Sequence, residues 1–363
     1  MDDSQLTRLL RDALGDEPAL NIMIVGKTGA GKSTLLNTLF GREVAAVGTG
    51  KPVTKTITGY QLPGSSVTIY DTPGLELGRD RVSVEAEFRM FARRLQGGDP
   101  NERLHFVLYC VRAGDDRFEQ FEQTLVATLA TIAPTFLALT QCPHPGDERV
   151  RTFAGFLKDL ELPVVSGVPF LTLARPMTFG PVELPPFGLD DLVERIAAVL
   201  PAAARKTLVT HQRISLEIKV AEAGKVVAAG AAAAAGAAMT EFDPQGRLVL
   251  AAQLGMLARL TAVFGLTAER DPWAESGMWL KSLLRFGLDY LARPHLLLVR
   301  VLPVVGRRFR GAEAQKQTER LGESYASACA DIVRRRHSGE SVRDDEVSRL
   351  LRRAIQAGTP VMT

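Results

Sequence analysis

The sequence predicts a doubly wound α/β domain over residues 19–204, followed by an all-α helical domain over 205–363. Three observations carry that expectation. Apolar runs of strand length alternate with helical patterns up to about residue 200, and strands apolar on both faces indicate a sheet covered on both sides. A glycine-rich loop separates the first such run from the first helix. Beyond Pro201 and the AAARK stretch after it, the apolar period is helical almost throughout, with glycine and alanine unusually dense.

Taken in order, residues 3–14 read as a short amphipathic helix with Leu6, Leu9, Leu10 and Leu14 on one face. Pro18 ends it, so 1–18 is set apart as an N-terminal helix. Residues 19–25, ALNIMIV, form a continuous apolar run of strand length, and a helix follows the glycine-rich loop at about 33–40. Further strands are expected at 57–62, 67–71, 104–111, 135–140 and 164–174. Helices are expected between the later strands, at 84–95, 118–132 and 150–160, and after the last at 189–200. The all-α part runs to about 340, and 341–363 reads as a last short helix with a loose end. No internal repeat is evident.

The bulk numbers limit the function classes. A chain of 363 residues exceeds the roughly 250–300 that one core supports, which favours two domains. Its 44 Lys plus Arg against 41 Asp plus Glu leave a net charge of +3, too balanced to imply nucleic acid. Cys110, Cys142 and Cys329 lie far apart and read as reduced thiols of a cytosolic protein, not as a disulfide framework or zinc site. The start, MDDSQLTRLL, lacks the apolar core of a secretory signal. No run of about 20 apolar residues is present. The run 226–240 (VVAAGAAAAAGAAMT) carries no charge and is mostly alanine and glycine.

The strongest chemical signal is Gly26-Lys27-Thr28-Gly29-Ala30-Gly31-Lys32-Ser33, which fits GxxxxGK[ST] between a strand and a helix. Glycines let consecutive backbone N–H groups point into one concavity, and the helix start, with Thr34 in its first turn, adds partial positive charge for phosphate. Lys32 reaches the β- and γ-phosphates, and the Ser33 hydroxyl ligates Mg²⁺. Asp71-Thr72-Pro73-Gly74 closes a later strand. There a carboxylate can hold Mg²⁺ through water, and the Gly74 N–H can reach the γ-phosphate. In the loop 44–57 (VAAVGTGKPVTKTI), Thr54 and Thr56 are candidates for a further Mg²⁺ ligand.

Together these motifs resemble the translation-factor class of P-loop GTPases, particularly its Era-like and septin-like branches, over about residues 20–200. Val53-Thr54-Lys55 resembles the valine-threonine-arginine pattern of Era-like members, which favours Thr54. The resemblance implies GTP and GDP with Mg²⁺ as ligands, two switch loops at about 42–58 and 72–86, and γ-phosphate hydrolysis as the timing event. Leu75 stands where many small GTPases orient water with glutamine, and Gly29 stands where some Era-like members use an asparagine to recruit potassium. Intrinsic turnover should therefore be low, and assistance is expected from dimerisation across the nucleotide face or from an arginine. Arg79, Arg81, Arg112 and Arg117 are the nearby candidates. The segment 113–123 (AGDDRFEQFEQ) resembles one in plant chloroplast-receptor and immune-associated GTPases, which dimerise through that face.

The family's base-reading motif is Asn or Thr, Lys, any residue, Asp. Here it is Thr140-Gln141-Cys142-Pro143. Gln141 can pack on the ring, and Ala174-Arg175 falls where a second base contact is expected. Asp147 has two readings: it folds back to the base, or it caps the helix that starts at about Glu148.

In the helical half, 226–239 and 248–258 make an apolar hairpin around Asp243-Pro244-Gln245-Gly246. That hairpin, with Gln253, Met256, VFGL at 263–266 and Leu-Pro-x-x-Gly at 302–306, resembles the C-terminal domain of YcjF-like proteins. The resemblance hints at membrane association. A buried soluble core is the rival reading, because alanine contributes little to insertion. The basic residues Arg300, Arg307, Arg308, Arg310 and Lys316 could attract anionic lipid. The expected partner is thus a membrane surface or a protein, with nucleic acid unfavoured because no KH-type GxxG follows a strand. Two alternatives to the slowly hydrolysing switch stay open: a nucleotide-gated scaffold with negligible turnover, and an Era-like ribosome-assembly GTPase. The expected location is the cytoplasm, with peripheral contact to the inner membrane.

Overall fold

The computed structural model describes residues 17–41, 57–63, 65–72, 81–97, 99, 102–240, 246–266, 285–287, 289–291 and 307–359. They form two compact units, one from Pro18 to Ser215 and one from Leu216 onward. The expected N-terminal helix at 3–14 lies outside the described residues.

In the first unit the strands are β1 (Leu20–Gly26), β2 (Thr58–Gln61), β3 (Val67–Asp71), β4 (Phe106–Arg112), β5 (Thr135–Thr140) and β6 (Phe170–Leu171). They build one sheet in the order β2-β3-β1-β4-β5-β6. Every neighbouring pair is parallel except β2 with β3. Strands β1 and β5 are buried along their whole length, as continuous apolar runs covered on both faces must be. The helices are α1 (Lys32–Phe40), α2 (Arg81–Gly97), α3 (Gln120–Ala130), α4 (Glu148–Asp159), α5 (Leu189–Val199) and α6 (Ala202–His211). A core of Met23, Val25, Val107, Tyr109, Leu125, Leu137 and Phe153 joins the central strands to α3 and α4. The mixed, mostly parallel sheet with helices is the predicted fold class.

Three details differ from the expected layout. The strand expected over 164–174 shrinks to Phe170–Leu171, paired only with Ala138 and Leu139 of β5. Pro163, Gly167 and Pro169 interrupt it, and 165–167 turns instead, with Ser166 at φ 71°. A small antiparallel hairpin, β7 (Met177–Phe179) with β8 (Val182–Leu184), follows where no strand was expected. The unit also ends later than 204. Helix α6 belongs to it: Thr207 Oγ1 donates to Pro18 O at 2.7 Å, and Arg213 N donates to Leu39 O at 2.8 Å. Gln212 then closes the chain by accepting from Ile214 N and Ser215 N, and Ser215 Oγ donates to Glu194.

The second unit contains α7 (Leu216–Met239), α8 (Arg247–Val263), α9 (Arg307–His337) and α10 (Asp344–Gly358). Small residues set its packing. A Cβ at Gly322 of α9 would lie 2.8 Å from the Val227 methyls of α7, and one at Gly230 would lie 2.8 Å from Met256 of α8. Two buried polar pairs cross between its helices: Thr261 Oγ1 with Tyr325 OH at 2.8 Å, and Gln253 Nε2 donating to Thr318 Oγ1 at 3.1 Å. Lys219 is almost fully buried and donates to Val263 O at the end of α8. The apolar run expected at 226–239 is thus the second half of a longer helix. Among the described residues, α7 is the one helix long and apolar enough to cross a membrane. The segment 296–305 lies outside the described residues.

Candidate functional site

The loop from Gly26 to Ser33 joins β1 to α1 at the carboxyl ends of the parallel strands, where open α/β sheets place their ligands. Only glycine fits its first position. Gly26 has φ 149°, and a Cβ there would stand 2.3 Å from the Cys110 carbonyl oxygen on β4. Gly29 and Gly31 have φ near 80°, which turns the chain into the start of α1, where Leu35 N donates to Gly31 O. Lys32 arches back over the loop, its Nζ donating to Gly26 O at 2.8 Å and Lys27 O at 3.1 Å. Burial lowers its pKa, while the neighbouring Cys110 and Asp71 act in the opposite direction. Asp71 ends β3 beside Ile24 of β1, near enough for its charge to act on Lys32. Beyond it the buried Thr72 Oγ1 donates to Ile24 O at 2.9 Å and fixes the chain as it leaves β3.

Side chains from two other elements hold this loop. Lys27 Nζ lies 2.7 Å from Glu122 Oε2 and 3.7 Å from Glu119 Oε1, at the start of α3. Glu119 and Glu122 form a reciprocal capping box, with Glu119 N donating to Glu122 Oε2 at 2.9 Å. Glu122 is 3% exposed, and the buried Tyr109 hydroxyl approaches its other oxygen at 3.4 Å. The second support comes from the end of β5. Thr140 Oγ1 donates to Ala30 O at 2.8 Å, with Val111 O at 3.2 Å, and Gln141 Nε2 donates to Gly29 O at 2.8 Å.

Sequence reasoning missed the Lys27–Glu122 pair. The repeated Glu at 119 and 122 signalled a helix start, but nothing local says that a lysine 95 residues earlier meets it. The same holds for the tie from Gln141 to the phosphate loop, which spans 112 residues. Of the two readings of Asp147, the structure shows the cap: its Oδ1 accepts from Arg149 N at 2.9 Å and Val150 N at 3.1 Å. Ala174 O accepts from Thr38 Oγ1 of α1 at 3.2 Å, and Arg175 is exposed. Arg112 and Arg117 are exposed at the ends of the turn that follows β4. Thr54, Thr56, Gly74, Leu75 and Arg79 lie outside the described residues, as does the side chain of Arg81.

Residues 21–141 match the family model described as 50S ribosome-binding GTPase. The chain is 27% identical over 192 residues to the GTPase Era of Geobacter metallireducens, taking in 49% of this chain and 61% of that relative. It is 34% identical over 110 residues to immune-associated nucleotide-binding protein 5 of Arabidopsis thaliana, 30% of this chain and 34% of the relative. Among solved structures, a variant of Aquifex aeolicus Era bound to GDP and AlF4⁻ is similar at 18% identity and a TM-score of 0.36, over 59% of this chain and 67% of that one. The chain therefore spans less than two thirds of the length of these two curated relatives.

Proposed function

Because residues 21–141 form a P-loop GTPase domain, we propose that the chain is a cytoplasmic GTP-binding switch that hydrolyses its nucleotide slowly and signals through its helical half. The observation that carries this reading is the Gly26–Ser33 loop, with Lys32 arched over it and Asp71 at the end of the strand beside β1. Lys32 donates to two backbone carbonyls of that loop, and on nucleotide binding it transfers those donors to the β- and γ-phosphates. Backbone N–H groups of Thr28, Gly29, Ala30, Gly31, Ser33 and Thr34 complete the phosphate cradle. Gly74 adds a further N–H on γ-phosphate closure.

Ser33 and Asp71 offer a hydroxyl and a carboxylate, hard oxygen donors of the kind that suit Mg²⁺ beside phosphate and water. These two residues, with Thr54 from the first switch loop, would hold the ion. When bound it neutralises charge on the phosphate oxygens. Leu75 has no group to orient water, so turnover by the isolated chain stays slow, on the order of 10⁻⁴–10⁻² s⁻¹. Dimerisation across the nucleotide face, with Arg112 or Arg117 supplying charge, is the expected accelerator. Single-turnover phosphate release at rising protein concentration tests this. A slow basal rate that climbs with concentration is expected, and fast turnover by dilute protein would contradict it.

The helical half gives the output. Its alanine-rich α7, and the arginines at 300, 307, 308 and 310, support engagement of a membrane surface or a protein partner in the GTP state, in line with the resemblance to YcjF-like proteins. Flotation with anionic vesicles, compared between GTP and GDP, reads this out. A second reading, favoured by the description of the matched family, is a ribosome-assembly GTPase. GTP-dependent cosedimentation with ribosomal subunits, without vesicle binding, would select that reading instead.

A further inference from the structure

We infer that the base subsite of this GTPase accepts purine nucleoside triphosphates with weak discrimination, so that inosine, xanthosine and adenosine triphosphates compete with GTP. This rests on the GTPase reading above and concerns only how the base is read. Guanine presents two adjacent donors, its N1–H and its exocyclic amine. Rejecting other purines by about 10⁴–10⁵ requires buried polar groups that pair with that edge and are left unpaired by an analogue. A carboxylate, with two acceptor oxygens, matches such a pair of donors.

The segment placed to meet the base is 141–147, which leaves β5 beside the phosphate loop: a Cβ at Gly31 would stand 3.4 Å from Gln141 Nε2. Each polar side chain in that segment is engaged in holding the chain. Gln141 donates its amide to Gly29 O. Cys142 is buried, its thiol pushed up to about 11 by burial, and donates to Leu139 O at 3.2 Å. His144 Nδ1 accepts from Gly146 N at 2.9 Å, which leaves the neutral ring with a donor at Nε2. Asp147 is the one carboxylate in the segment, and it is turned onto the first turn of α4 by two backbone donors. Pro143, three residues after Thr140, carries no polar side chain. Of the segment's side chains, the one beside the phosphate loop is Gln141, whose single amide carbonyl oxygen pairs with one donor and cannot grip two, while the Asp147 carboxylate is held at the start of α4 through Oδ1. Stacking on the Gln141 stem is indifferent to the exocyclic groups that separate the purines.

The test is competition of GTP, ITP, XTP and ATP against a fluorescent GDP analogue on the full chain with Mg²⁺. The expected result is that ITP binds within about tenfold of GTP, and that XTP and ATP compete within about a hundredfold, the scale of discrimination available without a paired polar edge. Pro143→Asp, which introduces a carboxylate into the segment, should widen the GTP-to-ITP ratio and tighten GTP and GDP together, since both carry the same guanine edge. A wild-type preference for GTP over ATP and XTP above about 10³ would overturn the inference and leave the GTPase reading intact. Binding of no triphosphate at all would overturn both.

Discussion

Lys27 ties the Gly26–Ser33 loop to the start of α3. Its ammonium, partly exposed, sits 2.7 Å from a carboxylate that is itself 3% exposed and already accepts from Glu119 N. Removing the ammonium strands that carboxylate, and removing one partner of a buried pair costs about 3–5 kcal/mol, with the lower end apt for a half-open site. Lys27→Met should therefore lower unfolding stability by about 3 kcal/mol and loosen the loop, so nucleotide dissociates faster. Glu122→Gln keeps an acceptor for Glu119 N and should cost about 1 kcal/mol, the scale of one charge-assisted bond weakened. Urea unfolding together with nucleotide off-rates checks the pair. Equal losses for the two variants would contradict a stranded carboxylate as the source of the Lys27→Met penalty.

At the level of elements, the helical unit depends on close approach. Gly358 ends α10 with its Cα against α9, so that a Cβ would lie 2.6 Å from Leu321 Cα, a backbone atom that cannot swing away. Gly236, on α7, would add its Cβ into open space. Gly358→Ala should thus destabilise by about 1–3 kcal/mol through overpacking. Gly236→Ala should instead stabilise by up to about 1 kcal/mol through helix propensity. Thermal melting of both variants decides, since propensity alone would move them in the same direction. The elements best read from sequence were those whose cause is local. Strand β1 is a run of seven buried residues, α1 follows a loop whose glycines serve its turn, and Asp147 caps α4 through bonds two and three residues on. Strand β6 was overread because an edge strand lasts only as long as its neighbour pairs with it, and β5 offers two positions. The supports of the phosphate loop were invisible for the opposite reason: Lys27–Glu122 and Gln141–Gly29 join residues that only the sheet order brings together.

For the molecule as a whole, the proposed chemistry and the proposed output divide between the two units. The residues proposed to hold phosphate and metal, Lys32, Ser33 and Asp71, belong to the unit from Pro18 to Ser215, and the apolar helices belong to the unit from Leu216 onward. A net charge of only +3 gives no broad field to draw in a partner, so the proposed membrane or ribosome contact would rest on local charge. Everything proposed for that contact depends on nucleotide being held by the Gly26–Ser33 loop. The most direct test is equilibrium titration of a fluorescent GTP analogue into wild-type protein and Lys32→Ala, each with Mg²⁺. Saturable binding by the wild type and a loss of at least about a hundredfold in the variant, the scale of a buried charge contact with phosphate, is the predicted result. Retention of wild-type affinity by Lys32→Ala would contradict the assignment of this loop as the nucleotide site.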